Sequence, residues 1–356
     1  MSIGVILVAY NTGDVLIDTL EALIAAAERE GGPDLRVLVV DNASPDGTRD
    51  RLEAWAAARP DAPPRPMPVP APAGRGAVRL DVRDLAREGR HPSLGTLQGG
   101  TVGLLLAGAN GGFAAGVNHG LETFRDMAEV DWYWILNSDA MTEAHTPAVL
   151  DRAARAAGGR FAAMGGRVLL TDPPGMIQAD AGGRIDRWLG RLKPFGLETF
   201  AADRPDPEAG PEAGALDYVS GAHMLVSPAF LEAAGLMPEG YFLFFEEVDW
   251  CLRRGELPLI WVPGAVVHHH NGASIGSEKA RGAQNAGPSP LAAYWMFRNR
   301  LRFIARWYPA GVPTTLAYSA MKVAQYLRRG ERGSARGAMR GILGAVGRPR
   351  PPRPGR

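Results

Sequence analysis

The segment YFLFFEEVDW, residues 241 to 250, places three acidic side chains directly after a run of aromatic ones. Carboxylates that lie close together repel one another, so they usually persist where catalysis, a metal ion or a bound sugar uses them. On a helical turn Glu246 and Asp249 share a face, whereas Glu247 points elsewhere. A carboxylate held near apolar groups acquires the raised pKa of a general base, which suits the deprotonation of an alcohol. The alternative is a helix N-terminus whose acids complement the macrodipole.

Three consecutive histidines, residues 268 to 270, end the apolar segment LPLIWVPGAVV. If they continue a strand, alternate side chains face opposite ways, so at most one or two of them can serve one metal ion. A zinc hydrolase would need further ligands at helical spacing, such as H-E-x-x-H, and the sequence has none. A purely structural role remains the alternative for any one of these histidines.

Polar residues follow three apolar segments that read as strands. In open parallel sheets, ligands bind where the carboxyl ends of the strands gather, so these residues predict a nucleotide site. Asp41 can accept a hydrogen bond from a pyrimidine N3–H, and Asp139 can hold a divalent cation, because Mg²⁺ and Mn²⁺ prefer oxygen ligands. The alternative is that these side chains cap turns and helices. The residues in question are Tyr10 and Asn11, Asp41 and Asn42, and Asn137, Ser138 and Asp139.

The segment GANGGFAAGVNHG carries a loose glycine pattern after a third predicted strand. No acidic residue follows at the distance that dinucleotide binding requires, which argues against a nicotinamide cofactor. Its glycines allow close approach of the backbone to a ligand, and Asn110 and Asn118 can bond a ribose or a base. A helix entrance with an Asn-Gly turn is the alternative.

The elements that must position these residues alternate along the chain. Apolar runs such as IGVILVAY and LRVLVVDNAS predict buried strands, and DVLIDTLEALIAAAERE between them predicts a helix. This alternation predicts an α/β fold with a mostly parallel central sheet flanked by helices. Residues 59–76 hold too many prolines for regular structure and predict a surface insertion. We expect one domain over about 1–290, helices over 291–345 and a disordered basic tail over 346–356.

Composition narrows the class of protein. The 356 residues include 39 Lys and Arg against 38 Asp and Glu, a balance that argues against a nucleic-acid-binding protein. A single cysteine, Cys251, excludes an internal disulfide and any multi-cysteine metal site. The start lacks the features of a signal peptide, and no apolar run approaches the roughly 18 to 20 residues that span a bilayer. We therefore expect a cytoplasmic protein. From Lys322 onward, however, the sequence is strongly basic.

Taken in order, the motifs resemble the family 2 glycosyltransferases of the GT-A fold, especially their bacterial rhamnosyltransferase-like branch. The resemblance runs from about residue 3 to about 308, and it includes ILNSDA, VSGAHMLVS, FLFFEEVDWCLR, VVHHHNGAS and YWMFRNRLRF. Each motif alone is weakly specific, whereas their joint order is specific. The resemblance implies a nucleotide-binding half over about 1–150 and an acceptor half over about 151–290.

The resemblance also implies roles for individual residues. Asp41 would read the base of the nucleotide, Asp139 and His268 would bind Mg²⁺ or Mn²⁺, and Glu247 would be the catalytic base. Two positions depart from the family pattern, because the base is usually Asp and because Asn137 replaces the first acid of Asp-x-Asp. The implied nucleotide-sugar site consists of Ala9, Tyr10, Asn11, Asp41, Asn110, Asn118, Asn137, Ser138 and Asp139. The implied acceptor site consists of Ser220, Gly221, Ala222, Glu246 and Asp249.

The activity implied is an inverting, metal-dependent transfer from a nucleotide-diphosphate sugar, dTDP-rhamnose or a UDP-sugar, to a hydroxyl of a glycan or lipid-linked acceptor in cell-surface polysaccharide synthesis. A sugar nucleotidyltransferase would need a lysine in the loop after the first strand, which AYNTGDVLIDTL lacks. A non-catalytic nucleotide-sugar-binding protein would be expected to lose the base or metal residues. The basic C-terminal segment predicts either amphipathic helices on an anionic membrane surface or a solvated tail.

Overall fold

The first half of the chain alternates strands and helices as its periodicity predicts. The computed structural model describes residues 2–74, 76–204, 206, 209–270 and 287–346. The short strand at Arg79–Asp84 and the helical turn after it are among the elements that were not predicted from the sequence. The elements in order are β1 (Ser2–Ala9), α1 (Gly13–Ala27), β2 (Asp34–Asp41), α2 (Thr48–Ala58), β3 (Arg79–Asp84), α3 (Leu85–Glu88), β4 (Thr101–Leu106), α4 (Phe113–Arg125) and β5 (Trp132–Asn137).

The second half has shorter strands with longer connections between them. The elements are β6 (Ala140–Thr142), α5 (Thr146–Ala156), β7 (Ala163–Leu170), β8 (Ile177–Asp180), β9 (Gly182–Asp186), β10 (Arg191–Pro194), β11 (Tyr218–Val219), β12 (His223–Val226), α6 (Pro228–Ala234), α7 (Glu246–Leu252), β13 (Leu259–His269), α8 (Pro290–Trp307), α9 (Val312–Arg328) and α10 (Arg332–Val346). Short 3₁₀ turns at Ala201–Asp203, Glu239–Tyr241 and Pro309–Gly311 join some of them.

Within the described residues, ten strands form the central sheet in the order β3-β4-β2-β1-β5-β12-β7-β13-β6, with β8 paired to β7. β1 runs parallel to β2 and β5, and β4 runs parallel to β2 and β3. β12 is antiparallel to both β5 and β7, which brings second-half loops beside the carboxyl end of β5. Strands β9, β10 and β11 form a smaller antiparallel sheet. The predicted α/β class with a mostly parallel central sheet is confirmed.

Helix α4 packs closely on β1 because glycines face the strand. A Cβ atom on Gly116 would lie 2.5 Å from Val8, and one on Gly120 would lie 2.5 Å from Ile6. These distances are too short for any side chain, so only glycine permits this approach. This part of the glycine pattern therefore serves packing between helix and sheet.

The proline-rich segment has no helix or strand in its described residues after α2, as predicted. It is nevertheless fixed to α1. Arg59 forms an ion pair with Glu21 in which both side chains are only 2% exposed, and Arg65 pairs with Asp18. Val69 is buried in a small cluster with Ala22 and Met141. The insertion thus covers one face of α1.

The C-terminal helices fold onto the rest of the protein. Phe303 and Ile304 of α8 belong to the main core. A separate small core joins α8, α9 and α10 through Phe297, Val323 and Ala338. Residues 313–345 are therefore folded helices rather than a solvated tail, whereas the predicted disordered tail lies almost wholly outside the described residues. No helix in the described part of the chain is both long and apolar enough to cross a membrane.

Candidate functional site

A cleft of about 200 Å³ opens at the carboxyl ends of β1 and β5. Residues from both halves of the chain line this cleft. They include most of the implied acceptor site and all three residues at the position of the family's Asp-x-Asp motif. The antiparallel β12 makes this possible, because the turn that precedes it lies next to the end of β5. The lining residues are Val8, Phe113, Asn137, Ser138, Asp139, Gln178, Ser220, Gly221, Ala222, Leu243, Phe244, Glu246, Glu247 and His269.

The histidine that faces Asp139 is His269, not His268. His269 Nε2 lies 3.0 Å from Asp139 Oδ1, and both side chains are buried. His268 points to the other side of β13, where its Nε2 lies 3.2 Å from Glu143 Oε1. The prediction that Asp139 and His268 together hold an ion therefore does not match this geometry, and strand alternation is the reason.

The surroundings of His269 fix the orientation of its ring. Its Nδ1 lies 2.7 Å from Gln178 Oε1, an acceptor, so Nδ1 carries the proton in this bond. The Nε2 of the same ring faces Asp139 Oδ1, and Asn137 Nδ2 lies 3.0 Å from that nitrogen. Burial alone would raise the pKa of Asp139, but His269 opposes this effect and holds that pKa below its usual value.

An imidazole nitrogen and a carboxylate oxygen that face each other are donor atoms suited to a divalent cation. The side chains present thus fit such an ion. No group of three or more His, Cys, Asp or Glu side chains in the described ranges is arranged to bind a metal. Within the described ranges, the protein can therefore contribute the pair of Asp139 and His269 to such an ion.

The two adjacent glutamates begin α7 and also line the cleft. Glu246 is 2% exposed, and no hydrogen-bond partner reaches its Oε2 within the described residues. Burial and then the neighbouring Glu247 charge hold the pKa of Glu246 well above its usual value. Glu247 is half-buried, and burial raises its pKa to about 7. At neutral pH, Glu247 is thus poised between its protonated and ionised forms.

The turn before α7 has an unusual backbone. Phe242, Phe244 and Phe245 all have positive φ, at 69°, 69° and 75°. Bulky side chains rarely adopt this conformation, and it persists only where the surroundings impose it. The strained turn sets the direction in which α7 leaves and hence the position of its two glutamates.

Asn299 of α8 is the main polar contact that imposes this turn. Its Nδ2 lies 2.8, 2.7 and 3.1 Å from the carbonyl oxygens of Tyr241, Leu243 and Phe244. Its side chain is fully buried. The other side of the turn is joined to α4, because Phe113 N donates to the Phe242 carbonyl at 2.8 Å.

Asp249 does not face the cleft, contrary to the role implied for it. It is fully buried and accepts hydrogen bonds from Tyr241 Oη and Arg253 Nε, each at 2.6 Å. Arg306 lies 3.7 Å away. One helical turn places Asp249 on the inner face of α7, where it joins α7 to the preceding turn instead of to a ligand.

The residues implied as nucleotide contacts lie mostly beside the cleft. Asp41 is buried at the end of β2 and accepts a hydrogen bond from Ser44 N at 3.0 Å; burial raises its pKa. The carbonyl of Ala9 already accepts from Asn42 N at 2.9 Å. Tyr10 is half-buried, and Asn11 is exposed with a φ of 56°. This edge of the sheet therefore combines a buried carboxyl with partly exposed polar side chains.

The asparagines of the glycine-rich segment have structural partners. Asn118 is buried, and its Nδ2 donates to the Met237 carbonyl at 2.9 Å and to Glu239 at 2.8 Å. Its Oδ1 accepts from Met237 N. Asn110 Oδ1 accepts a hydrogen bond from Gly112 N at 2.9 Å. This bond fits the alternative given above, in which Asn110 forms a turn at the entrance to a helix. Asn118 is therefore not directed into the cleft.

Ser138 lines the cleft but also has a structural bond, since its Oγ donates to the Val8 carbonyl at 2.9 Å. Gly221 lies near both Phe113 and Glu247, because a Cβ atom there would be 3.3 Å and 3.8 Å from them. This turn therefore forms a narrow wall close to the half-buried glutamate.

Sequence reasoning missed several residues that line the cleft, and it also missed Asn299, which bonds the turn before α7. Gln178 lies outside the motifs that the sequence analysis singled out, Leu243 belongs to the apolar run before the acids of YFLFFEEVDW, and Phe113 is typical of a helix start. His269 belongs to the run of three histidines noted in the sequence, but the side of the strand to which its side chain points could not be predicted. Asn299 lies in YWMFRNRLRF, a motif that contributes to the family resemblance but to which the sequence analysis assigned no function.

Comparisons with known proteins agree with this architecture. The family model described as Glycosyl transferase family 2 matches residues 4–76. Two N-acetylglucosaminyl-diphospho-decaprenol L-rhamnosyltransferases of Mycobacterium tuberculosis, from strains CDC 1551 and H37Rv, are 28% identical over 295 residues, or 78% of this chain and 78% of each relative. The structure of GalNAc-T7 with UDP, GalNAc and Mn²⁺ is similar with a TM-score of 0.56 at 14% identity, covering 91% of this chain and 51% of that one. The resemblance and the fold predicted from the motifs are confirmed.

Proposed function

On the premise that this chain is a family 2 glycosyltransferase with a GT-A fold, we propose that it moves a sugar from a nucleotide-diphosphate donor to a hydroxyl of a lipid-linked acceptor. The transfer would invert the configuration of the anomeric carbon. One observation carries the proposal: Glu247, with a pKa of about 7, and the pair of Asp139 and His269 line the same cleft.

Glu247 is the proposed catalytic base. It is accessible to an acceptor, because it is half-buried, and its raised pKa matches proton transfer at neutral pH. Glu246 is less suited, since it is nearly inaccessible, and burial and its neighbour hold its pKa well above the usual value. The raised pKa of Glu246 favours its neutral form, which limits the negative charge at this wall of the cleft. An acceptor hydroxyl bound along Ser220 and Gly221 would release its proton to Glu247.

Asp139 and His269 are the proposed ligands for Mg²⁺ or Mn²⁺. A bound divalent cation stabilises the negative charge that develops on a diphosphate leaving group. Gln178 holds the His269 ring so that Nε2 faces Asp139, and Asn137 contacts the same nitrogen. The two glutamates begin α7, whereas Asp139 lies between β5 and β6 and His269 ends β13. Because these groups come from different elements, we propose that the attacking hydroxyl and the diphosphate occupy separate parts of the cleft.

The donor base is proposed to bind at the edge formed by Ala9, Tyr10, Asn11 and Asp41. Asp41 is suited to accept a hydrogen bond from a pyrimidine N3–H when it is ionised. A thymidine or uridine diphosphate sugar fits this chemistry. The M. tuberculosis relatives are named as rhamnosyltransferases acting on N-acetylglucosaminyl-diphospho-decaprenol, which favours dTDP-rhamnose as donor and a lipid-linked N-acetylglucosamine as acceptor.

The catalytic unit is proposed to extend beyond residue 290 through the end of α8. Asn299 bonds the turn before α7, and Phe303 and Ile304 are part of the main core. A boundary at residue 290 would remove these contacts. We further propose that the protein works at the cytoplasmic face of the plasma membrane, where a lipid-linked acceptor and a cytoplasmic nucleotide sugar meet.

A donor and acceptor panel tests the proposal. The purified chain is incubated with dTDP-rhamnose, UDP-glucose, UDP-galactose or UDP-N-acetylglucosamine, with Mg²⁺ or Mn²⁺, and with a short-chain lipid diphosphate that carries N-acetylglucosamine. We expect one donor to give a product whose anomeric configuration, read by NMR, is opposite to that of the donor. Retention of configuration would refute the single displacement. Donor binding without transfer to any acceptor hydroxyl would favour the non-catalytic binding protein.

A further inference from the structure

Helix α9 exposes a continuous apolar face. Leu316, Met321 and Leu327 are 39%, 46% and 53% exposed, which is unusual for large apolar side chains. The exposed apolar residues of this face are Pro313, Leu316, Ala317, Ala320, Met321, Ala324 and Leu327. Their spacing of three and four residues places them along one side of the helix.

The packing of α9 determines which side is exposed. Thr315, Ser319 and Val323 are buried on the opposite side, and Val323 belongs to the small core shared with α8 and α10. The one charged residue between 313 and 327 is Lys322, which is half-buried and lies over the Tyr318 ring. The apolar face is therefore presented outward by a fixed helix, without a charge on it.

Cationic side chains adjoin this face. Arg328 and Arg329 end α9, and Arg332 and Arg336 are exposed on α10, which packs against α9. Met339 and Leu343 of α10 are 50% and 66% exposed, and spacings of three and four residues place them on the same side of that helix as Arg332 and Arg336. Glu331 is the single acid between residues 287 and 346. The surface thus combines apolar and positive side chains with almost no negative charge.

An exposed tryptophan lies at the start of the same helix. Trp188, in the turn between β9 and β10, is 60% exposed. Its carbonyl accepts hydrogen bonds from Thr315 Oγ1 at 2.9 Å and from Thr314 Oγ1, so it is fixed to the first turn of α9. Tryptophan favours the interface between lipid headgroups and acyl chains, because its ring is apolar and its N–H is polar.

We propose that the outward faces of α9 and α10, together with Trp188, form a docking surface for an anionic lipid bilayer. The apolar side chains would enter the headgroup region, while the arginines contact anionic headgroups. The charge of the surface favours this occupant over a second copy of the chain, because two such surfaces would repel one another. The inference rests on the proposed function in one respect, that a lipid-linked acceptor is reached at a bilayer.

Docking at this surface also has a consequence for the cleft. α8 connects the surface to the site, since it packs against α10 and its Asn299 holds the turn before α7. The bilayer would thus contact the helices that pack on α8, and α8 in turn holds the turn before Glu246 and Glu247. A lipid-linked acceptor could then enter the cleft without leaving the membrane.

Vesicle co-sedimentation of the full chain tests the proposal. The probes are phosphatidylcholine vesicles with and without phosphatidylglycerol. We expect binding to the anionic vesicles that weakens as salt is raised, and little binding to the neutral ones. Equal binding to both kinds of vesicle, or binding to neither, would overturn the proposal.

Two sets of variants assign the binding to this surface. Replacing both Arg332→Gln and Arg336→Gln should weaken binding about 25-fold, because each arginine near an anionic surface contributes about fivefold. The matched control replaces Arg87→Gln and Arg125→Gln, which are exposed arginines elsewhere, and should bind like the wild type. Equal losses in both pairs would show attraction by overall charge and would overturn a localised surface.

The apolar set consists of Leu316→Gln with Leu327→Gln, and its control is Leu316→Met with Leu327→Met at the same positions. We expect the glutamine pair to lose at least tenfold in binding and the methionine pair to retain it. Circular dichroism checks that each variant is folded. If analytical ultracentrifugation showed instead that the wild type dimerises and the glutamine pair does not, the surface would be a contact between copies.

A transfer assay with a short-chain, water-soluble acceptor separates this inference from the proposed function. The surface variants should keep the wild-type rate there and lose rate only when the acceptor is embedded in anionic vesicles. Loss of both rates would overturn the docking role. Absence of transfer in every protein, with vesicle binding intact, would instead refute the proposed function alone.

Discussion

Replacing Glu247→Gln separates the chemical role of this carboxyl from its structural effect, because glutamine keeps the shape of the side chain and removes the charge. Two outcomes are expected together. Sugar transfer should fall by a factor of at least about 10² to 10⁴, the range ascribed to general base catalysis. Donor binding should be nearly unchanged, since the proposed donor contacts lie with Asp139, His269 and Asp41.

The same substitution should stabilise the protein at high pH. Burial raises the pKa of Glu247 from an ordinary 4.5 to about 7. Between these values the folded protein holds a proton that the unfolded chain releases, so the wild type loses free energy of unfolding as the pH rises. With about 1.4 kcal/mol per pKa unit, the loss between pH 5 and pH 8 is about 2.5 kcal/mol. The glutamine variant should not show this loss.

Urea denaturation of both proteins at pH 5 and pH 8 measures the effect. The relevant quantity is the difference between the two pH values, because it cancels any constant cost of burying the amide. Glu53→Gln, on the exposed face of α2, is the matched control and should follow the wild type. A glutamine variant with the wild-type pH dependence would refute the buried, destabilised charge. A variant with full transfer activity would remove Glu247 from the mechanism.

Three further outcomes are expected. His269→Ala should weaken Mn²⁺ binding in the presence of a nucleoside diphosphate at least tenfold by calorimetry, whereas His268→Ala should not; the reverse order would restore the original assignment. Asn299→Asp keeps the size of the side chain but removes the N–H groups that bond the turn before α7. It should lower kcat with little change in the KM for the nucleotide sugar, and it should cost about 1 to 3 kcal/mol of stability by urea denaturation. An unchanged kcat would argue that Asn299 does not position the glutamates. The ratio kcat/KM should rise with pH around 7 as Glu247 ionises, and a flat profile from pH 5 to 9 would argue against this base.

Local patterns were sufficient for most of the strands and helices of the first half of the chain. Buried strands such as β1 and β2 are continuous apolar runs, and helices such as α1 carry their own periodicity. β3 escaped notice because its sequence RLDVRD is half polar, as befits an edge strand that pairs on one side only. The order of strands was not contained in any one segment, since the antiparallel β12 enters the sheet between β5 and β7.

The kinds of side chain present at the site could also be predicted from the sequence, but the directions in which these side chains point could not. Glu246 and Asp249 were expected to share a face toward the acceptor, yet Asp249 is bonded to Tyr241 and Arg253 inside the protein. Asn118 likewise has partners in the segment before α7. Side-chain direction on a short turn depends on which neighbours pack on it, and those neighbours are more than a hundred residues distant for Asn118.

The histidine run shows where the limit lies. The sequence determined that a histidine stands near the end of a strand and that only alternate ones can face a given side. The register of β13 shifts between Trp261 and Val266, around Pro263 and Gly264, so counting from the start of the strand cannot give the phase. Pairing with β6 and β7 fixes it, with His269 beside Ala140 and Leu170. The sequence therefore determined the elements and the reactive groups, whereas strand pairing decided which group meets Asp139, because one residue of shift exchanges the two faces of a strand.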